Sequence, residues 1–168
     1  MPWGSEGTRA LLGNVGLITS RDKNGQANIM AAEWTNQVSY SPAVFEINIG
    51  KGKKTLANIL ETEFFGISIA SVTQNNISHI SGTPSIKLDK IKALKELGVE
   101  FEEDKETKVL TVVGSSLRLV AKIINHKEAG DHEMVMAEIV KLVEATDKEP
   151  LIYFRGKYWE IGVQLAHG

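Results

Sequence analysis

Apolar residues fall in short, β-branched or alternating runs along most of the chain, and turn-forming residues separate them. That pattern predicts strands rather than long helices. Gly16 to Ser20 reads as a strand, and Asp22-Lys23-Asn24-Gly25 follows it as a tight turn in which Gly25 accepts a positive φ. Phe45, Ile47 and Ile49 alternate with Glu46 and Asn48, so one face of that strand is apolar. Further strands are predicted at Phe64 to Ala70, Val109 to Val113, Leu117 to Asn125 and Met134 to Val143. Leu151 to Phe154 is expected to pair with Tyr158 to Ile161 across Arg155-Gly156-Lys157. Helical spacing interrupts the strands twice. Leu56, Ile59 and Leu60 share a short helix that Thr55 can N-cap, and Ile91, Leu94 and Leu97 lie between a start signal at Asp89 and a stop signal at Gly98. A mainly β chain with two short helices predicts an antiparallel β-barrel, closed or partly closed. No repeat, low-complexity tract or Pro-rich linker breaks the pattern, so residues 1–168 read as one domain.

Composition narrows the chemistry. At 168 residues roughly 70% of the unfolded surface can be buried, so a core needs neither disulfide nor structural metal. The sequence has no cysteine, which removes thiol nucleophiles, cysteine-ligated clusters and dithiol redox chemistry, and any redox role must rest on a borrowed cofactor. Nineteen basic residues stand against 21 acidic ones, the net charge is −2, and the lysines are scattered. A nucleic-acid partner is therefore not expected. Met1 to Leu12 has no apolar run long enough for a signal peptide and no later stretch approaches a membrane span, so the expectation is a cytoplasmic protein with no membrane partner.

Most candidate motifs fail on spacing. His132-Glu133 begins like a zinc-protease helix, but the second histidine position is Met136 and the segment alternates like a strand. His79, His126 and His167 lack paired spacing, and Gly66-Ile67-Ser68-Ile69-Ala70 lacks the second glycine of a nucleophile elbow. Two stretches are more informative. In Gly50-Lys51-Gly52-Lys53-Lys54-Thr55 a strand ends in a basic, glycine-containing loop ahead of a helix, whose N-terminal amides and dipole suit a phosphate. The same residues also read as a solvated basic turn with Thr55 only a cap. Asn28-Ile29-Met30-Ala31-Ala32-Glu33-Trp34-Thr35 combines small residues with an aromatic, which lets a planar ring approach the backbone; it also reads simply as a strand with a buried Trp34.

Taken in order, these stretches resemble the flavin reductase-like family of FMN-binding split-barrel proteins, which includes flavoredoxins and the small flavin reductases of two-component oxygenases. The likeness runs from Gly16-Leu17-Ile18-Thr19-Ser20-Arg21-Asp22 through Asn28, Met30 and Trp34 to Val38-Ser39-Tyr40-Ser41-Pro42. It continues with Ile49-Gly50, Lys53, Thr55, Asn58-Ile59, Phe64-Phe65-Gly66-Ile67-Ser68, Ser81-Gly82, Asp89-Lys90 and Gly130-Asp131-His132, and it closes on Pro150 to Tyr158.

The resemblance implies a split barrel that binds FMN and takes hydride from NADH or NADPH as a transient donor. Ala31, Ala32, Glu33, Trp34 and Thr35 would line the isoalloxazine ring, with Asn28 and Met30 on the same segment. Lys53, Lys54 and Thr55 would hold the ribityl phosphate beside Lys51, and Asn48, Ile49 and Gly50 would lie beneath the cofactor. His132 is placed near the flavin face as the catalytic candidate, and Lys90 is implied to reach the site from a neighbouring subunit of a homodimer. Many relatives carry serine where this chain has Glu33, a charge unwelcome beside a reduced flavin unless it points outward. Three readings stay open: an NAD(P)H-dependent flavin reductase, a flavoredoxin-like carrier reduced by a redox partner protein, and a binding module without catalysis.

Overall fold

A computed structural model describes residues 10–84 and 88–165. His167 and most of the N-terminal stretch lie outside the described residues. The chain runs β1 (Gly13–Asn14), β2 (Gly16–Arg21), β3 (Ala27–Ala32), β4 (Thr35–Tyr40) and β5 (Ala43–Gly50), then α1 (Lys54–Thr62) and β6 (Phe64–Ile69). A 3-10 turn at Val72–Gln74 leads into α2 (Asn75–Gly82) and α3 (Lys90–Glu96). After them come β7 (Phe101–Glu103), β8 (Leu110–Val112), the long hairpin β9 (Leu117–Ala129) and β10 (His132–Ala145), and last β11 (Ile152–Phe154) and β12 (Lys157–Trp159).

Seven strands form one antiparallel sheet in the order β3-β2-β6-β9-β10-β5-β4. The mainly β expectation holds. Its two edge strands, β3 and β4, are consecutive in the chain and are not paired with each other, so the sheet is split where Glu33 and Trp34 cross between them. Ile18, Ala32, Ile47, Ile67, Ala121 and Val135, drawn from six strands, nevertheless share one buried cluster with Leu56 and Ile59 of α1. A sheet whose distant strands bury the same core must curl around it, which is the physical content of a split barrel. Strand alternation sends Leu17 and Ile29 to the other face, where Ile91 and Leu94 of α3, Leu110 and Val112 of β8, and Leu151 build a second core.

Glycine permits the tightest crossing. A Cβ on Gly66 would lie 2.1 Å from the Leu110 carbonyl oxygen and 2.3 Å from Thr19 Oγ1, so β6 can pass under β8 only without a side chain there. The β2–β3 turn forms as expected: Gly25 has φ +80° and Asp22 accepts from the amides of Asn24 and Gln26.

The structure departs from the sequence reading in four elements. Helix α1 is capped at Lys53 with no side-chain bond, and Thr55 sits inside its first turn, where its hydroxyl accepts from Asn28 Nδ2 at 2.8 Å. Helix α2 was not expected, because Asn75, Asn76, Ser78, His79 and Ser81 are weak helix formers and only Ile77 and Ile80 mark an apolar face. Asp89 does cap α3, accepting from the Lys92 amide, and Gly98 follows with φ +82°. The last hairpin is tighter than expected, pairing Phe154 with Lys157 across Arg155 and Gly156. Trp34, read as a buried strand residue, is 39% exposed because the strand breaks at Glu33.

Candidate functional site

A cleft of about 640 Å³ opens where the sheet is split. One wall is the end of β3, with Met30, Ala31 and Ala32 continuing into Glu33 and Trp34. The other comes from β5, whose alternation decides which residues face it. Ile47 and Ile49 are fully buried in the barrel core, which leaves Asn48 and Gly50 on the cleft side. The Asn48 amide donates to the Trp34 carbonyl at 3.0 Å, tying the two walls together across the split.

Past Gly50 the chain turns through Gly52 into α1, bringing Lys53, Lys54 and Thr55 to the cleft. The first turn of α1 holds no acidic residue and receives no side-chain cap, so its orphan amides remain open to an anion. The end of α2 supplies Ser81 and Gly82, Thr83 and Pro84 follow, and Lys90 opens α3. His132 begins β10 directly opposite Gly50 in the ladder, so the β5–β10 pairing sets its place.

The aromatic part of the cleft is a contact between Trp34 and His132, with ring centroids 4.9 Å apart and planes at 49°. His132 Nδ1 donates to the exposed Asp131 carboxylate at 2.7 Å, which holds Asp131 below the usual carboxylate range and leaves Nε2 of the ring available. Gly50 is a cradle beside it: a Cβ there would stand 3.5 Å from Lys53 Cε and 3.8 Å from His132 Nε2.

Two further charges of the cleft are perturbed. Lys90 is 4% exposed and donates from Nζ to the Ser81 carbonyl at 2.9 Å. Burial, and secondarily the charge of Lys53, lowers its pKa to about 8. Burial also raises the Glu33 carboxyl above its ordinary value, with no ion pair to it among the described residues. Ala31, Ala32, Glu33, Gly82 and Thr83 also border a smaller cleft of about 420 Å³, which Tyr153 and Tyr158 line on its other side.

Twelve of the sequence-named residues meet here: Met30, Ala31, Ala32, Glu33, Trp34, Asn48, Gly50, Lys53, Lys54, Thr55, Lys90 and His132. Four do not line the cleft. Ile49 and Thr35 are fully buried, Thr35 donating to the Ala32 carbonyl. Asn28 lies beneath Thr55 as its hydrogen-bond donor, and Lys51 turns outward to an ion pair with Glu128. Lys90 lines the cleft of its own chain. Sequence reasoning did not assign Gly52, Ser81, Gly82, Thr83 or Pro84 to the site. Ser81 and Gly82 carried part of the family likeness, but the helix that aims them was not legible.

Comparison with known proteins agrees with this architecture. The chain is similar to an NADH:FAD oxidoreductase of Streptomyces globisporus, SgcE6, at TM-score 0.82 and 17% identity over 93% of this chain and 90% of that one. It is similar to the styrene monooxygenase flavin reductase of Pseudomonas putida S12 at TM-score 0.79 and 13% identity, over 97% and 99% of the two chains. An uncharacterized protein of Archaeoglobus fulgidus is 26% identical over 113 residues, which span 67% of this chain and 63% of the relative. The model of the flavin reductase like domain matches residues 8–162, nearly the whole chain, and the protein belongs to that family.

Proposed function

We propose that the protein binds FMN in this cleft and acts as an NAD(P)H-dependent flavin reductase. The observation that carries the reading is a single cleft that joins an anion-binding end to a wall for a planar ring. Lys53, Lys54 and Thr55 at the uncapped start of α1 suit the phosphate, while Ala31, Ala32 and Trp34 suit the ring. The Gly50 cradle fits the same picture, since it keeps free the space between Lys53 and His132. When bound, the flavin supplies hydride acceptance and electron transfer in one or two steps.

The chain's own contribution is position and electrostatics. Small side chains at Ala31 and Ala32 leave backbone groups accessible to the edge of a ring. Asp131 fixes the tautomer and orientation of His132, whose free nitrogen can then position a nicotinamide nucleotide on the open side of the cleft. The same reading includes a homodimer, supported by Val38 and Tyr40 exposed on edge strand β4 and by exposed Val140 and Leu142 on β10.

The test is an FMN titration followed by anaerobic addition of NADH and then NADPH. Bound flavin that bleaches within seconds supports the reductase. Tight flavin that neither nucleotide reduces refutes it in favour of a carrier, and no flavin binding at all refutes both. Lys53→Met is expected to weaken FMN about tenfold to a hundredfold and riboflavin little.

A further inference from the structure

The last hairpin takes no part in the flavin reading, yet it lines a cleft of its own. Tyr153 and Tyr158 are paired across β11 and β12, with ring centroids 5.6 Å apart and planes at 61°. Both rings are half-buried against the second core. The Tyr158 hydroxyl donates to Ser78 Oγ of α2 at 3.0 Å, which fixes that ring on the cleft wall. With Val15, Ser78, Gly82 and Thr83 around them, the tyrosines border about 420 Å³, a volume that suits one aromatic ring with a short side chain.

The smaller cleft also carries a sign. Glu33 is the only carboxylate among the described residues that line it, and no lysine or arginine does, although the imidazole of His79 stands at its edge. The Glu33 carboxylate has no ion pair among the described residues. Burial raises its carboxyl above the ordinary value, so the charged form is short of solvation. A cation that reaches it restores what burial removed. Tyrosine rings attract the same charge over their faces, so both features of the cleft select one kind of ligand.

We propose that this smaller cleft is a second binding site, distinct from the flavin cleft, for a small aromatic amine whose ring packs against Tyr153 and Tyr158 and whose ammonium pairs with Glu33. Charge complementarity selects the class. An anionic ring compound would meet a carboxylate with no lysine or arginine to offset it, and a neutral one would leave Glu33 unpaired. The flavin cleft has the opposite character, with Lys53, Lys54 and Lys90 on its walls, so ligands of the two clefts sort by charge. Ala31, Ala32 and Glu33 line both clefts, so an amine seated in the smaller one neutralises the acidic group of the shared wall from its far side. The inference stands without the flavin reading, because none of its contacts involves a flavin.

The experiment is calorimetric titration of the intact protein as purified, at pH 7, with three probes of similar size: 2-phenylethylamine, 2-phenylethanol and phenylacetate. The amine is expected to bind about tenfold more tightly than the alcohol, and phenylacetate more weakly than either. Glu33→Gln should erase the preference for amine over alcohol. Lys53→Met changes only the flavin cleft and should not weaken the amine, and saturating FMN should not displace it. Nuclear Overhauser contacts from the bound amine's ring to the Tyr153 and Tyr158 ring protons are expected. Equal binding of amine and alcohol, a preference that survives Glu33→Gln, displacement of the amine by FMN, absence of the tyrosine contacts, or a parent that binds none of the probes each overturns the site. A protein that binds the amine as described but no FMN overturns the flavin reading alone.

Discussion

Adding one methyl group at Gly50 separates the site from the fold. Gly50 lies within regular strand β5, and the added Cβ of Gly50→Ala meets nothing closer than Lys53 Cε at 3.5 Å and His132 Nε2 at 3.8 Å, ordinary contact distances. The folded protein accommodates the methyl, and the unfolded chain loses conformational freedom, so stability should be unchanged or rise by about 0.5 kcal/mol. The methyl nonetheless stands on the cleft side of β5, in the space between Lys53 and His132. A ligand that needs this space is overpacked at a cost of about 1–3 kcal/mol, or roughly five- to 150-fold in Kd. Gly66→Ala is the control, because its Cβ would overlap the Leu110 carbonyl at 2.1 Å and the barrel cannot yield there without moving β8. That variant should be severely destabilised, by about 3 kcal/mol or more. Thermal melts and FMN fluorescence titrations of both proteins decide the matter. A Gly50→Ala protein that melts with the parent and binds FMN equally well refutes the placement of flavin against β5.

Three further outcomes are expected. His132→Ala should retain flavin but be reduced about tenfold more slowly by its nicotinamide donor in stopped flow, since the variant loses the Trp34 contact and the oriented imidazole; flavin loss with unchanged reduction of the remaining holoprotein would contradict the role. Glu33→Gln removes a carboxylate whose folded value lies above its unfolded one. Its charge therefore opposes folding above the unfolded pKa and not below it, and the variant should melt higher at pH 7 and equally near pH 3. With FMN bound, its midpoint potential should rise by some tens of mV, on the order of one or two kcal/mol for a two-electron couple; an unchanged potential would place the carboxylate away from the ring. Asp104 accepts from the Thr107 amide and hydroxyl at 2.9 Å and pairs with Lys141, which, followed by the Thr107 amide, holds its carboxyl well below the usual range. Its contribution is present above the unfolded carboxylate value and lost as pH falls through the folded one. Asp104→Asn should therefore cost about 2 kcal/mol at pH 7, with a difference in urea midpoint that shrinks below about pH 4.

How much of this was legible in the sequence depends on how far each feature reaches along the chain. The strand Phe45 to Ile49 and the Asp22 to Gly25 turn are written in neighbouring residues, and both were readable. Helix α2 was not, because its residues individually prefer caps and turns, and it is held by packing of Ile77 and Ile80 onto the second core. Lys90 has no special place by composition or spacing, and only the family likeness brought it to the site; the docking of α3 against α2 and β3 is what buries it and sets it beside Ser81. The basic loop shows where local reasoning stops. Alternation already says that Asn48 and Gly50 share one face and that Ile47 and Ile49 share the other, so counting Ile49 with the flavin residues conflicted with the core it was also assigned to. Yet alternation alone does not say which polar face becomes a cleft. That is decided by what stands across the ladder, and the pairing of Gly50 with His132 spans 82 positions of chain, register information that no local window contains. The Ser81 hydroxyl is the same case in sharper form: nothing near the end of an unread helix says that the fold will bury that serine with no partner among the described residues.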